Sequence, residues 1–90
     1  MSIFSFPPKF PEEKIVGLYF NFVNRLMPGE IITNANVVST PEIHSNTQYL
    51  ETTVSFDVSG GKTGDVCQIV VTATGSMGSI REAKGSLVIL

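Results

Sequence analysis

The side chains best suited to catalysis or metal binding in this 90-residue chain are its one histidine, His44, and its one cysteine, Cys67. Catalysis by His44 requires a serine or cysteine beside it and a carboxylate that orients its ring. Cys67 lies in an alternating apolar run, which predicts a small buried side chain. One histidine and one cysteine also fall short of the four ligands of a structural zinc site. The pair therefore predicts neither an active site nor a metal site.

Gly61-Lys62-Thr63 has the residue types that end a phosphate-binding loop. That motif has its first glycine five residues earlier, where this chain has Phe56, and it leads into a helix. Here Val66 begins another apolar alternation, which favours a strand. We therefore predict that residues 59–65 form a glycine-rich hairpin turn rather than a nucleotide site.

Paired carboxylates are the third kind of catalytic candidate. Glycosidases place two carboxyl groups roughly 5–9 Å apart in a cleft. Glu12 and Glu13 lie in a proline-rich segment, and Glu51 and Asp57 are separated by six strand residues, or about 20 Å. We expect all four carboxylates to face water. We also expect a protein without enzymatic activity and without a cofactor.

The elements that must position these residues are strands. The chain has 10 Val, 8 Ile and 8 Thr against 5 Leu and 3 Ala, and β-branched side chains favour sheets over helices. Turn signals recur about every 8–12 residues, a spacing typical of a β-sandwich or barrel. The sequence therefore predicts an all-β domain of six or seven strands.

Period-two alternation locates the strands. An early strand points Val16, Leu18, Phe20 and Phe22 to one side. A weaker pattern alternates over residues 31–38. The clearest strand runs over residues 48–58 and faces five side chains inward: Leu50, Thr52, Val54, Phe56 and Val58. A further strand points Cys67, Ile69, Val71 and Ala73 inward, and the last spans residues 79–90, which we expect inside a sheet. Residues 23–27 and 43–47 fit either a strand or a loop.

Residues 1–13 differ from the rest, so we separate them as an extended N-terminal arm from a sandwich domain of residues 14–90. Pro7, Pro8 and Pro11 fix their own backbone angles and extend the residues before them, which makes the segment unsuited to a regular ladder. Its apolar side chains are the candidate partner contacts: Ile3, Phe4, Phe6 and Phe10. They either cap their own sandwich or dock on a neighbouring subunit, and the sequence favours neither.

Charge and apolar runs limit the partners. The net charge is −2, and six Lys plus Arg do not supply the basic stripe of a nucleic-acid binder. The longest uncharged apolar stretch, residues 15–23, is far shorter than the roughly 20 residues of a membrane-spanning helix. We expect a protein made in a cytosol, with no disulfide, no nucleic-acid partner and no membrane partner.

Short motifs along most of the chain resemble one family. Phe6-Pro7-Pro8-Lys9 is followed by Pro11-Glu12-Glu13, and Arg25-Leu26 precedes the turn Gly29-Glu30-Ile31-Ile32. The stretch from Val58 to Gly64 has the pattern hydrophobic-Ser-Gly-Gly-x-x-Gly, and Thr72 and Gly75 precede the last strand. Together these motifs resemble the small immunoglobulin-like virion proteins of tailed bacteriophages, known as fibre–tail adaptors. The chain departs from that family in having no tryptophan in its first two strands.

The resemblance implies an immunoglobulin-like β-sandwich of antiparallel strands and a structural role in a phage particle. Such a protein is made in the bacterial host cytoplasm and assembled into the virion. It links a fibre or appendage to the neck or tail, and many copies contact other virion proteins on a symmetric assembly. A capsid decoration protein is the nearest alternative. A carbohydrate-binding sandwich is another alternative. Such sites favour exposed aromatic rings, and Tyr19 and Tyr49 are the only tyrosines of a chain that has no tryptophan.

Overall fold

A computed structural model describes residues 3–90 of the chain, with side chains from Ser5 onward. This part of the chain contains seven strands and no helix. The strands are β1 (Ile3–Ser5), β2 (Lys14–Asn21), β3 (Ile32–Thr40), β4 (His44–Leu50), β5 (Thr53–Ser59), β6 (Val66–Gly75) and β7 (Ile80–Val88). The prediction of an all-β domain is confirmed.

The seven strands form two sheets, which pack as a β-sandwich. One sheet has the strand order β1-β7-β6-β3 and the other has the order β2-β5-β4. Every neighbouring pair is antiparallel except β1 and β7, which run parallel. The inward side chains of both sheets form a single hydrophobic core. Strand β7 lies between β1 and β6, so the apolar last strand is inside a sheet, as the sequence predicts.

The central strands follow the predicted alternation. In β6 the inward residues Cys67, Ile69, Val71 and Ala73 are all fully buried. In β5 the inward residues are likewise buried: Val54, Phe56 and Val58. Both strands have partners on both edges, so their registers are fixed from two sides and their side chains keep a strict period of two.

The edge strands depart from that alternation because each of β2, β3 and β4 carries a register shift. In β2 the shift lies between Ile15 and Leu18, where Gly17 has a φ of 75°. The extra residue rotates Val16 out of the core, and Val16 is 72% exposed while Ile15 is half-buried. The prediction that Val16 points inward with Leu18 was therefore wrong.

Residues 48–58 do not form one strand. The chain turns at Glu51, which has a φ of 55°, and it divides the predicted strand into β4 and β5. Leu50 is consequently 76% exposed rather than inward-facing. Residues 43–47, which the sequence left open, belong mostly to β4, and residues 23–27 lie in the loop between β2 and β3. Residues 59–65 connect β5 to β6 in the other sheet, so they are a crossover rather than a hairpin turn.

The N-terminal segment joins a sheet despite its prolines. Ile3, Phe4 and Ser5 pair in register with residues 84–86 of β7. The contact continues beyond β1, because Phe6 donates its N–H to Ser86 and Lys9 donates its N–H to Val88. The expectation that this segment is unsuited to a ladder was wrong, since an edge strand that pairs on one side tolerates the missing donors of proline.

Candidate functional site

His44 lies beside a serine, Ser39, whose Oγ is 2.6 Å from His44 Nδ1. Ser39 Oγ also accepts the N–H of Ile43 at 2.9 Å and the N–H of His44 at 3.3 Å. Two N–H groups thus occupy the lone pairs of the hydroxyl, which assigns its proton to the bond with the neutral His44 tautomer that accepts at Nδ1. Because Ser39 is buried and its hydroxyl bonds groups of both Ile43 and His44, the arrangement caps the β3–β4 loop.

The glycine-rich crossover forms one side of an open groove of about 580 Å³, with the β3–β4 loop on the other side. Its lining includes Gly61, Lys62 and Asp65. Asp65 accepts the N–H of Lys62 within the loop, and a Cβ on Gly61 would lie 2.9 Å from Ile89. The groove thus combines one lysine with nearby carboxylates, and the loop is fixed by packing against the last residues of the chain.

Cys67 and Asp57 are both buried. Burial raises the pKa of the Cys67 thiol, and Asp65 adds to this effect. The prediction that Asp57 faces water was wrong. Its carboxylate accepts the N–H of Gly17 at 3.0 Å and a hydrogen bond from the side-chain amide of Asn46 at 3.3 Å. These two contacts tie the bulges of β2 and β4 to the central strand β5, so Asp57 stabilises the sheet.

The candidate partner contacts in the N-terminal segment separate into different environments. Phe6 is only 7% exposed, and the centre of its ring lies 5.8 Å from the centre of the Phe56 ring in an edge-to-face arrangement. Phe10 is 51% exposed. The side chains of Ile3 and Phe4 lie outside the described part of the chain. Phe6 is therefore a core residue, and Phe10 is the contact candidate that is open to solvent.

Lys9 is a buried charged residue that the sequence did not reveal. Its side chain is 1% exposed. Its ammonium donates to the carbonyls of Phe10 at 2.9 Å, Glu13 at 3.0 Å and Pro11 at 3.4 Å. Three carbonyl dipoles replace water around the charge, which is the condition for burying it. The turn over residues 10–13 is thus held by hydrogen bonds to a single ammonium group.

Backbone contacts of Lys9 join the same turn to the end of the chain. Lys9 pairs in parallel with Ile89, and Leu90 donates its N–H to the Lys9 carbonyl at 2.8 Å. Ile89 in turn bonds the crossover loop through Gly64 and Asp65. We call this end of the sandwich, with residues 6–13, 40–43, 59–65 and 89–90, the Lys9 end.

Glu30 occupies the corresponding position at the opposite end. It is 2% exposed, and its carboxylate accepts the N–H of Met27 at 3.0 Å, Met77 at 2.9 Å and Ser79 at 3.2 Å. The Met27 N–H and the bonds to Ser79 and Met77 lower the pKa of Glu30 from 4.5 to about 2, against the opposing effect of burial. A Cβ on Gly75 would collide with this carboxylate, so only glycine fits there.

Glu30 therefore fastens two loops together. The β2–β3 loop is also bonded to the β6–β7 turn through Ile31, whose carbonyl accepts the N–H of Ser76 at 2.7 Å. The β4–β5 turn joins them, since Glu51 and Thr52 accept the N–H groups of Ile32 and Phe22. We call this end, with residues 22–31, 50–53 and 75–80, the Glu30 end.

Sequence reasoning missed both buried charges because Lys and Glu are normally exposed. The available signals were positional: Lys9 stands between prolines, and Glu30 follows the tight turn at Pro28-Gly29.

Within residues 3–90, no three His, Cys, Asp or Glu side chains are grouped so that they could hold a metal ion. That part of the chain also has no helix long and apolar enough to cross a membrane. No protein-family model and no curated protein sequence matches the chain.

Proposed function

We propose that the chain is a non-enzymatic structural component of a tailed-bacteriophage virion, an adaptor at the neck or tail that links a fibre or appendage to the particle. Its scaffold in this proposal is an immunoglobulin-like sandwich. It is made in the bacterial host cytoplasm and acts in the virion, in contact with other virion proteins.

Strand order is the observation that supports the immunoglobulin-like type. Constant-type immunoglobulin domains place strands A, B, E and D in one sheet and C, F and G in the other. Here β2-β5-β4 has the order B-E-D, and β7-β6-β3 has the order G-F-C. The first strand differs, because β1 lies beside β7 rather than beside β2.

The functional proposal is supported by where the structure places the residues of the short sequence motifs. Phe6, Lys9 and Glu30 belong to the short motifs that resemble the adaptor family, and all three side chains are buried. In this chain the motifs fix the N-terminal segment and the Glu30 end of the domain. Such motifs are expected to recur in a family that shares a rigid domain shape.

Counting the chain in purified phage particles tests the proposal. Quantitative mass spectrometry is to measure its copy number against the portal protein and the major capsid protein. An adaptor gives a fixed ratio to the portal ring. A ratio fixed to the capsid lattice identifies the capsid decoration protein instead, and absence from particles contradicts both.

A carbohydrate-binding sandwich is the alternative of another class, and one residue favours it. Tyr19 is exposed on the outer face of its sheet, where Ser55 is its direct partner and Gln48 follows on β4. An aromatic ring among uncharged polar groups suits a sugar. Tyr49 is less suitable, because its hydroxyl donates to the Thr33 carbonyl at 2.8 Å. Glycan-array binding that Tyr19→Ala abolishes would establish this alternative.

A further inference from the structure

One buried hydroxyl group connects the two ends of the β3–β4 loop. Ser39 lies near the end of β3, and His44 is the first residue of β4. Ser39 Oγ accepts the N–H groups of Ile43 and His44 and donates its own proton to Nδ1 of the His44 ring. Ser39 and Ile43 are both buried, so water does not readily replace these bonds.

The hydroxyl has no bonding capacity left for a charged ring. A serine hydroxyl offers two lone pairs and one proton, and all three are used while the imidazole is neutral. Protonation of Nδ1 turns that atom from an acceptor into a donor. Three N–H donors would then face an oxygen with two lone pairs, and the hydroxyl proton would lose its acceptor at Nδ1. At least one bond of the cap must therefore break when His44 becomes charged.

The sheet next to His44 supplies apolar neighbours. Val58 of β5 is the direct cross-strand partner of His44, and Ile15 of β2 is the partner of Val58. Asp57 is adjacent to Val58 in β5, but successive side chains of a strand point to opposite faces. The Asp57 carboxylate bonds the bulges of β2 and β4 on the other face of the sheet. It is therefore not placed to stabilise a charged ring.

The loops around His44 supply no ion pair either. The other ionic groups of the elements beside it are Glu42 on the β3–β4 loop, Lys14 at the start of β2, and Lys62 and Asp65 on the crossover. Among the side chains of residues 5–90, the imidazole pairs with none of these groups, and the ion pair of that part of the chain joins Lys84 to Glu82. A charged imidazole thus gains no ion pair in exchange for the bond that it loses.

The same loop forms one wall of the groove at the Lys9 end. Pro41, Glu42 and Ile43 line this wall, opposite the glycine-rich crossover. Ile43 also belongs to the hydrophobic core, and its N–H is bonded by Ser39. Loss of the cap frees the wall to move, which changes the shape of a groove of about 580 Å³.

We propose that protonation of His44 releases the β3–β4 loop from Ser39, so that the groove at the Lys9 end changes shape between neutral and mildly acidic pH. Histidine is the side chain that ordinarily changes charge in this range. His44 is the only histidine of the chain, so the response depends on a single ring. The inference goes beyond the proposed function and does not depend on it, because it concerns the isolated domain.

Amide hydrogen exchange of the purified protein, prepared without a histidine tag, tests the inference. NMR follows the imidazole signals and the protection factor of the Ile43 amide, which is its exchange rate relative to an unfolded chain at the same pH. We expect this protection to fall at least about tenfold from pH 8 to pH 5, in step with protonation of the ring. The amides of Met77 and Ser79 are the internal control. They bond Glu30, whose pKa is about 2, and should keep their protection.

His44→Asn is the matched variant. Its side-chain oxygen stands where Nδ1 stands in histidine, accepts the Ser39 proton and takes up no proton in this range. Protection of the Ile43 amide should therefore be equal at pH 8 and pH 5 in this variant. In thermal melting, the wild-type protein should lose about 4–8 °C more than His44→Asn between the two pH values, the shift expected for one hydrogen bond.

Three results would overturn the inference. Protection of Ile43 that stays constant while the imidazole titrates is one, and a ring that stays neutral down to pH 5 is another. An equal loss of melting temperature in wild type and His44→Asn is the third, because another group would then cause the effect. If His44→Asn does not fold at pH 8, the wild-type protection factors decide alone. Each of these results leaves the adaptor proposal as it stands, since copy number in particles tests that proposal separately.

Discussion

Each end of the sandwich contains a buried charged side chain that hydrogen-bonds to the backbone, and the two charges have opposite signs. At the Glu30 end a carboxylate is surrounded by backbone N–H groups, and at the Lys9 end an ammonium is surrounded by backbone carbonyls. Neither group depends on an ion-pair partner among these bonds. A buried charge can therefore organise a loop through the backbone alone, since peptide dipoles supply the groups that water would otherwise provide.

The ends differ in what the buried charge holds. Lys9 fixes a single turn and, through Leu90, the end of the chain, so it secures the N-terminal segment to its own domain. Glu30 fixes two loops that are distant in sequence and leaves apolar side chains exposed above them. The Lys9 end thus attaches the N-terminal segment to its own domain, whereas the Glu30 end holds two loops in a fixed arrangement with apolar side chains exposed.

The largest expected effect is the difference in stability between the alanine variants of the two phenylalanines at the Lys9 end. Phe6→Ala should lower the free energy of unfolding by about 3–4 kcal/mol, because it leaves a cavity beside Phe56. Phe10→Ala should change it by less than about 0.5 kcal/mol, because that ring is half exposed. Urea unfolding of both variants measures the difference. Two near-neutral results would mean that the segment is a free arm.

Removal of the ammonium at the Lys9 end should have the next largest effect. Lys9→Met keeps most of the stem but leaves the carbonyls of Phe10 and Glu13 without their donor, which we expect to cost about 2–3 kcal/mol. Lys62→Met is the control and should stay within about 0.5 kcal/mol of wild type, since Lys62 is exposed. Equal effects of the two substitutions would contradict a structural role for Lys9.

At the Glu30 end, Gly75→Ala tests the fit of the carboxylate. The added methyl group collides with Glu30, and such overpacking should cost about 1–2 kcal/mol. In a Glu30→Ala background the same substitution should cost much less, because the collision is gone. A double-mutant cycle in chemical denaturation gives the coupling, and additive effects would show that the two side chains are not in contact.

The effect of Glu30→Gln depends on pH. The folded-state pKa of Glu30 is about 2 and its usual value is 4.5, so the unfolded chain binds more protons between these values. The stabilisation by the carboxylate is complete above pH 4.5 and is lost as the pH falls through about 2. The stability difference between wild type and Glu30→Gln should therefore shrink on acidification. A pH-independent difference would contradict the lowered pKa.

The structure also changes how the N-terminal segment can be tested. Deletion of residues 1–13 would be the direct experiment if this segment were a separate arm. With Phe6 in the core and Lys9 beside Ile89, that deletion removes part of the fold along with any contact surface. Phe10 is the residue through which a partner contact of this segment can be tested alone.

The sequence predicts the central strands well and the edges poorly. The alternation of Cys67, Ile69, Val71 and Ala73 is read correctly because β6 has neighbours on both sides and no bulge. The bulge at Gly17 shifts the alternation of β2, and no proline or glycine marks the turn at Glu51. Bulges are set by contacts with other strands, such as the bond from Gly17 to Asp57, which a local pattern does not contain.

Of the candidate contacts, the sequence identifies the aromatic residues of the N-terminal segment but not their separation into core and surface. Phe6 and Phe10 both stand next to proline, and only the pairing with β7 distinguishes them. The Glu30 end was not predicted at all. Its loops are distant in sequence, and a charged residue in a turn is normally solvated.

Amide hydrogen exchange measured by NMR tests the central claim, that one buried carboxylate holds the loops of the Glu30 end. In the wild-type protein the amides of Met77 and Ser79 should exchange slowly, although both lie at a turn. In Glu30→Ala they should exchange far faster, while the amides of Gly64 and Ile89 at the Lys9 end keep their protection. Rapid exchange of Met77 and Ser79 in the wild-type protein would contradict the claim.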